Sequence, residues 1–247
     1  MVISDTMWRL YWWMGTASPE RYRKSIVGIG IYLIVMLVVS MVLHPSGFSF
    51  GKIAVSPLGY VKTNPLGSSF FNIGFFITGL VLIPHTLFLI RQTITRLNEK
   101  PWHLFQKIGF YSGALLLVVS GPGMAMVGLT PEDLYPNAHL IAAIFAFGGL
   151  FFGALFLLWS LYLALRAERK RGGTDRTLWC FFLLYTQLIA VAIINLWIAI
   201  IPAMMGKLTG SFAGMPAYWP ITEWTLFASN FVWYIGIIAI FTTLKKP

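Results

Sequence analysis

The chain has 247 residues, of which 57% are hydrophobic and 11% are charged, and its mean hydropathy is +0.75. Soluble domains carry roughly 25% charged residues, so this sequence could not cover a water-soluble fold and indicates an integral membrane protein. The basic residues behind the net charge of +10 cluster at the ends of apolar runs, which is typical of membrane topology rather than of nucleic-acid binding. Cys180 is the only cysteine, which excludes an intrachain disulfide and a cysteine-based metal site.

The first 24 residues predict a helix that lies at the membrane interface. Trp8, Tyr11 and Trp12 would share one helical face, and aromatic rings favour the level of the lipid headgroups. Ser18 as an N-cap and Pro19 at the first helical position then predict a helix start. We therefore expect an interfacial helix over 1–24, followed by a transmembrane domain.

Six apolar stretches in residues 25–247 are long enough to cross a hydrocarbon core of ~30 Å, which takes about 20 helical residues. They lie near 25–43, 70–90, 106–128, 138–165, 178–202 and 223–244. The first is too long for the core of a signal peptide, which predicts a retained span. The predicted fold class is all-α, a polytopic bundle of six transmembrane helices. Paired glycines in "GFYSG" (109–113) and "GLFFG" (149–153) predict close contact between the third and fourth spans.

Lysine and arginine predict the orientation of these spans. They cluster in the N-terminal segment, in the second-to-third and fourth-to-fifth connections, and at the C-terminus. The exceptions are Lys52, Lys62 and Lys207. Because positive residues stay cytoplasmic, we expect both termini inside, in the cell membrane.

The predicted outer loop 44–69 is the longest connection between spans. It contains two similar turns, "SPLG" and "NPLG", with β-prone runs around the first of them. The pattern predicts a small hairpin or a compact loop. Together with the second outer loop, 203–222, it should form a cap over the outer end of the bundle.

The segment between the third and fourth spans contains adjacent acids, Glu132 and Asp133, and then His139. One interpretation is helix capping, with Thr130 and Asn137 as N-caps and the acids at the positive end of a helix dipole. The other is an outer-face site at which the two acids and His139 act as catalytic groups on lipid. Candidate binding residues of the same face are His44, Ser56, Asn64, Asn72 and Glu223.

Polar residues inside the spans have a structural and a functional interpretation. The predicted buried polar residues are His85, Asn195 and Asn230. His85 follows a proline that frees a backbone carbonyl one turn earlier, and an imidazole bonded to that backbone is the favoured interpretation. Two outer and two inner histidines leave a two-haem b-type arrangement open, although His44 and His103 lie at span ends. We predict no cofactor and no metal site.

Two segments carry a family resemblance, "SPLGYVKTNPLGSSFFNIGFFITGLVL" and "SGPGMAMVGLTPEDLYPNAHLIAAIFAFGGLFF". They resemble the six-span FRAG/DRAM/SFK family, above all its uncharacterised prokaryotic relatives. The matching positions are Ser56, Pro65, Asn72, Val127, Gly128, Pro131, His139, Ala143 and Phe147. Eukaryotic members resemble factors that remodel the lipid of GPI anchors, regulators of phosphoinositide signalling or modulators of autophagy.

The sequence is compatible with three functions. The first, which the resemblance implies, is a lipid-interacting or scaffold protein without catalysis of its own, accessory to other membrane subunits. The second is an enzyme that remodels lipid at the outer face. The third is a haem-binding membrane subunit.

The charge asymmetry predicts that the connection between the fourth and fifth spans faces the cytoplasm. In a Cys180→Ala background, Gly172→Cys should resist a membrane-impermeant maleimide in intact cells, whereas Lys62→Cys should react. Permeabilised cells, in which both cysteines should react, provide the control. Labelling of residue 172 from outside would contradict the orientation.

Overall fold

The computed structural model describes residues 18–97 and 103–170, together with separate helical residues between 182 and 194, the helical run 220–230 and residue 232. All regular secondary structure in these residues is helical. The α-helices are α1 Pro19–Val42, α2 Gly67–Leu97, α3 Leu104–Leu129, α4 Pro136–Ala143 and α5 Gly149–Lys170. A π-helical segment, Ile144–Gly148, joins α4 to α5 in one continuous helix.

Four of these helical stretches are long and apolar enough to cross a membrane. They are Glu20–Val42, Gly67–Phe88, Leu104–Leu129 and Pro136–Leu163. They match the first four predicted spans, so the all-helical class is confirmed and the chain has the helices of a multi-pass membrane protein.

The remaining predicted elements fall partly or wholly outside the described residues. The fifth span is described only at scattered helical residues between 182 and 194, and the sixth over 220–230 and at residue 232. Asn195, residues 1–17 of the predicted interfacial helix and residues 203–219 of the second outer loop lie outside the described part.

Helix α1 begins where its capping residues predict. Ser18 is the N-cap, and its side chain accepts a hydrogen bond from the backbone N–H of Arg21 at 3.3 Å, with Pro19 at the first helical position. The helix then runs without a break to Val42. Residues 19–24 therefore continue into the helix of the first span.

His85 belongs to a buried polar network that joins α1 to α2. Its ring Nδ1 lies 2.6 Å from the carbonyl oxygen of Val81, and its Nε2 lies 3.1 Å from Ser25 Oγ. The backbone carbonyl of His85 accepts a bond from the Tyr22 hydroxyl at 2.7 Å. The imidazole thus bonds the backbone one turn earlier, as expected. Because both ring nitrogens are engaged, iron ligation by His85 would break one of these bonds.

Helix α3 lies at the centre of the described bundle, with α2 on one side and the α4–α5 helix on the other. A Cβ added at Gly79 of α2 would stand 2.6 Å from the carbonyl oxygen of Gly121 in α3. A Cβ added at Gly113 of α3 would stand 2.9 Å from the carbonyl oxygen of Gly153 in α5. Only glycine permits backbones this close. The predicted glycine contact between the third and fourth spans is confirmed.

The α2–α3 contact predicts a large difference between two glycine-to-alanine changes. Gly79→Ala should lower the free energy of unfolding by about 1–3 kcal/mol, because its methyl group meets backbone that must move away. Gly28→Ala should cause no loss, since nothing lies within 4 Å of a Cβ added there. Thermal unfolding of both purified variants in one detergent measures the difference. Equal stability would contradict the close contact.

Candidate functional site

The connection between α1 and α2, residues 43–66, folds over one end of the bundle, here named the loop end. It contains a single turn of 3₁₀ helix, Ser56–Gly59, and no strand within these described residues. Of the two predicted forms, the compact loop is therefore the one that occurs.

Asn64 holds this loop together from inside. Its side-chain amide donates to the carbonyl oxygen of Leu58 at 2.9 Å and lies 3.1 Å from the hydroxyl and 3.3 Å from the carbonyl oxygen of Ser40. The Asn64 side chain is fully buried. Asn72 makes a similar contact, donating to the carbonyl oxygen of Gly59 at 3.3 Å. Both residues were predicted to bind a ligand, and in the structure both bind the loop backbone.

The turn between α3 and α4 differs from the predicted capping. Thr130 is the C-cap of α3 rather than an N-cap, and its hydroxyl donates to the carbonyl oxygen of Met126 at 2.7 Å. The N-cap of α4 is Tyr135, and Asn137 lies inside the helix. Both predicted N-caps are wrong. At Thr130, the proline that follows disfavours helical backbone, and the threonine hydroxyl bonds back to the preceding turn. At Asn137, the reason is that Pro136 takes the first helical position, so Asn137 lies in the first turn.

The two adjacent acids connect this turn to the loop. Glu132 accepts a hydrogen bond from the Tyr60 hydroxyl at 3.0 Å. Asp133 accepts one from the backbone N–H of Lys62 at 2.8 Å, and the Lys62 ammonium donates to the carbonyl oxygen of Asp133 at 3.2 Å. Burial raises the pKa of the Tyr60 phenol, and the negative charges of Glu132, Glu223 and Asp133 raise that pKa further. Three acids therefore lie close to one tyrosine.

The two predicted functional histidines have structural partners. His139 is 5% exposed, and its Nδ1 lies 2.7 Å from the carbonyl oxygen of Thr130. Because a carbonyl only accepts, Nδ1 carries the proton and donates. His44 pairs with Ser46 Oγ at 3.1 Å. Neither histidine, and neither of the two adjacent acids, lines the cavity of the loop end.

That cavity lies between α2, α3, the α4–α5 helix and the helical run 220–230, and it has a volume of about 240 Å³. It is larger than the roughly 150 Å³ cavity that binds benzene in an engineered protein. Phenylalanine is the commonest residue type in its lining: Phe71, Phe75, Phe147, Phe151, Phe152 and Phe227. Polar groups enter it from Ser56, Glu223 and Asn230. Three of the predicted polar residues thus converge on one space.

Glu223 is fixed at the edge of the cavity by the 3₁₀ turn. Its Oε1 accepts a bond from the Ser56 hydroxyl at 2.7 Å and another from the Ser56 backbone N–H at 3.2 Å. Ser56 therefore presents two donors to one carboxylate, and 167 residues separate the partners.

Three of the phenyl rings in the lining come from three different elements and contact one another. The ring centroids of Phe75 and Phe227 are 5.9 Å apart, those of Phe147 and Phe227 are 6.2 Å apart, and those of Phe75 and Phe147 are 6.4 Å apart. Phe147 belongs to the π-helical segment. Such segments are rare and are frequently found at functional sites, and here the segment places Phe147 and Gly148 in the lining of the cavity.

Several residues of this end were not singled out from the sequence. Tyr60 and Ser40 connect loop and helices, and Trp224 donates from Nε1 to the carbonyl oxygen of Ile53 at 2.9 Å. A signal existed for the aromatic lining, since Phe71 and Phe75 are four residues apart and share a helix face.

Comparison of the chain with protein-family models, with curated proteins and with solved structures finds no match.

The role of Asn64 in the loop predicts a loss of stability rather than a selective loss of binding. Asn64→Ala should lower the free energy of unfolding by about 2–3 kcal/mol, because the change removes the donors that satisfy buried oxygens. Asn137→Ala, at an exposed position of α4, is the matched control and should lie within about 0.5 kcal/mol of wild type. Chemical unfolding monitored by circular dichroism measures both. A stable Asn64→Ala protein would contradict the structural role.

Proposed function

We propose that this protein binds the apolar part of a lipid or another amphiphile in the cavity at the loop end, without catalysis of its own. The observation that carries the proposal is the uneven lining of the cavity. Apolar side chains, six of them phenylalanine, line most of the cavity, and the carboxylate of Glu223 and the hydroxyl of Ser56 lie together at one place. Small-molecule sites combine a largely apolar lining with a few fixed polar groups in this way.

An amphiphile also suits the way the cavity opens. Phe152 lines the cavity and is 51% exposed, so the space reaches the side of the bundle. With the proposed topology, six spans with both termini cytoplasmic in the cell membrane, that side faces lipid at the depth of the outer leaflet. A chain longer than the cavity would then continue into the hydrocarbon of the bilayer.

Binding is favoured over lipid remodelling by the partners of the predicted catalytic residues. Glu132, Asp133 and His139 bond Tyr60, Lys62 and the backbone of Thr130, respectively. A general base must reach the proton that it removes from the substrate, and these three residues lie outside the lining of the cavity.

The proposed partners are membrane lipids and other membrane subunits. The membrane-crossing stretch of α1 is only 28% buried within the described structure, which leaves most of its apolar surface for such contacts. We also propose that the chain is related to the FRAG/DRAM/SFK group. In support, four positions of that resemblance line the cavity, namely Ser56, Val127, Ala143 and Phe147.

Filling the cavity should abolish binding. Gly148 lines the cavity, and a Cβ added there would meet only Ile144 Cγ2 at 4.0 Å. Gly148→Leu should therefore fold and occupy the space, lowering the affinity for tritiated 1-octanol by about tenfold or more. Equilibrium dialysis of the protein in nonionic detergent measures the saturable binding of 1-octanol. Empty micelles of the same detergent give the background that partitions into the detergent alone.

The matched control is Gly28→Leu, the same substitution at a position with nothing within 4 Å of an added Cβ and outside the cavity. It should bind 1-octanol as wild type does. If Gly148→Leu is folded and also binds as wild type does, the cavity is not the binding site and the proposal is wrong.

A further inference from the structure

Taking the proposed amphiphile site as given, we infer that the group it holds at Glu223 is a protonated amine, so that the ligand is an organic ammonium ion with an apolar body. Three features of the site support an ammonium ion: the unused hydrogen-bonding capacity of the Glu223 carboxylate, the negative charge around it, and the apolar surface beside it.

The Glu223 carboxylate can accept more hydrogen bonds than the described part of the protein donates to it. An ionised carboxylate accepts about four hydrogen bonds, whereas the 3₁₀ turn supplies only those from the hydroxyl and the backbone N–H of Ser56. The turn therefore holds the carboxylate in place without using every lone pair. Glu223 is only half-buried and contributes to the lining, so the remaining capacity is accessible from the cavity.

The charge balance favours a cation. None of the described lining residues is lysine or arginine, and no described residue forms an ion pair with Glu223. Glu132 and Asp133 lie close enough to act, together with Glu223, on the same tyrosine, Tyr60. A phosphate or carboxylate head would meet like charge, which no lysine or arginine among the described lining residues offsets. An ammonium group would supply the missing opposite charge and a charge-assisted hydrogen bond, which is stronger than a neutral one.

The phenyl rings supply the second half of the recognition. Phe227 lies one helical turn after Glu223, and its ring contacts those of Phe75 and Phe147. The apolar body of the ligand would lie against these rings, which exclude water and so strengthen the ion pair at the carboxylate. The negative faces of aromatic rings also attract a nearby ammonium group.

The first test uses the wild-type protein alone. Octylamine, 1-octanol and octanoate each have eight carbons. At neutral pH the head of octylamine is positive, that of 1-octanol is neutral and that of octanoate is negative. In nonionic detergent, we expect octylamine to bind about 10–100-fold more tightly than 1-octanol, and octanoate to bind most weakly. Equal affinity for octylamine and octanoate would overturn the inference without involving a variant that fails to fold.

The second test assigns the preference to one side chain. Glu223→Gln keeps an oxygen for the Ser56 donors and removes the charge, so the ratio between its affinities for octylamine and for 1-octanol should fall from about 10–100 to about one. Glu132→Gln changes a nearby acid outside the cavity and should keep the preference for octylamine. A folded Glu223→Gln protein that still prefers octylamine would overturn the inference.

The outcomes separate this inference from the proposed function. If Gly148→Leu abolishes binding of 1-octanol but Glu223→Gln binds octylamine as wild type does, the cavity is the binding site, and the inference that the ligand carries an ammonium group is wrong. If Gly148→Leu changes the binding of no probe, the cavity is not the binding site.

Competition experiments in nanodiscs then identify the source of the amine. Competition by phosphatidylethanolamine, but not by phosphatidylglycerol, supports a lipid headgroup, and retained octylamine binding without such competition supports a free amphiphilic amine.

Discussion

The close approach of α3 to its neighbours is the constraint on which the rest of the structure depends. Helices in a bilayer gain little from the hydrophobic effect when they associate, so they rely on packing and on backbone proximity. Gly79 and Gly121 permit this approach towards α2, and Gly113 and Gly153 permit it towards α5. Because α3 is in contact with both sides, its position determines where the other helices carry their side chains at the loop end.

The cavity forms where this tight packing gives way to large rings. Glycines face one another along much of α3, whereas phenylalanines from α2, the π-helical segment and the run 220–230 surround the cavity. Polar bonds of the loop then close the end of the bundle. Asn64, Asn72 and Glu223 bond backbone groups of the loop there, which would be costly to bury without a partner. The same bonds place a carboxylate beside an apolar space.

Local patterns in the sequence predicted the helices better than they predicted the site. Hydrophobic length, the cap at Ser18 and the spacing of the small residues each depend on a few neighbouring positions, and the structure agrees with them. Thr130 shows the limit, since the same residue type serves as an N-cap or bonds back to a preceding turn. The bond between Ser56 and Glu223 joins residues 167 positions apart, and no local pattern contains it. The rarity of acids drew attention to Glu132 and Asp133, while their partners Tyr60 and Lys62 depended on how the loop folds.

The contacts of Glu223 and Trp224 with the first loop have a consequence for how the protein is made. The ribosome releases that loop long before it reaches these two residues, and both of them bond it, at Ser56 and Ile53 respectively. During synthesis the early helices insert and pair while the loop still lacks these two anchors. The cavity acquires its last side only when the helical run 220–230 arrives, so a chain that terminates before this run would leave the site open.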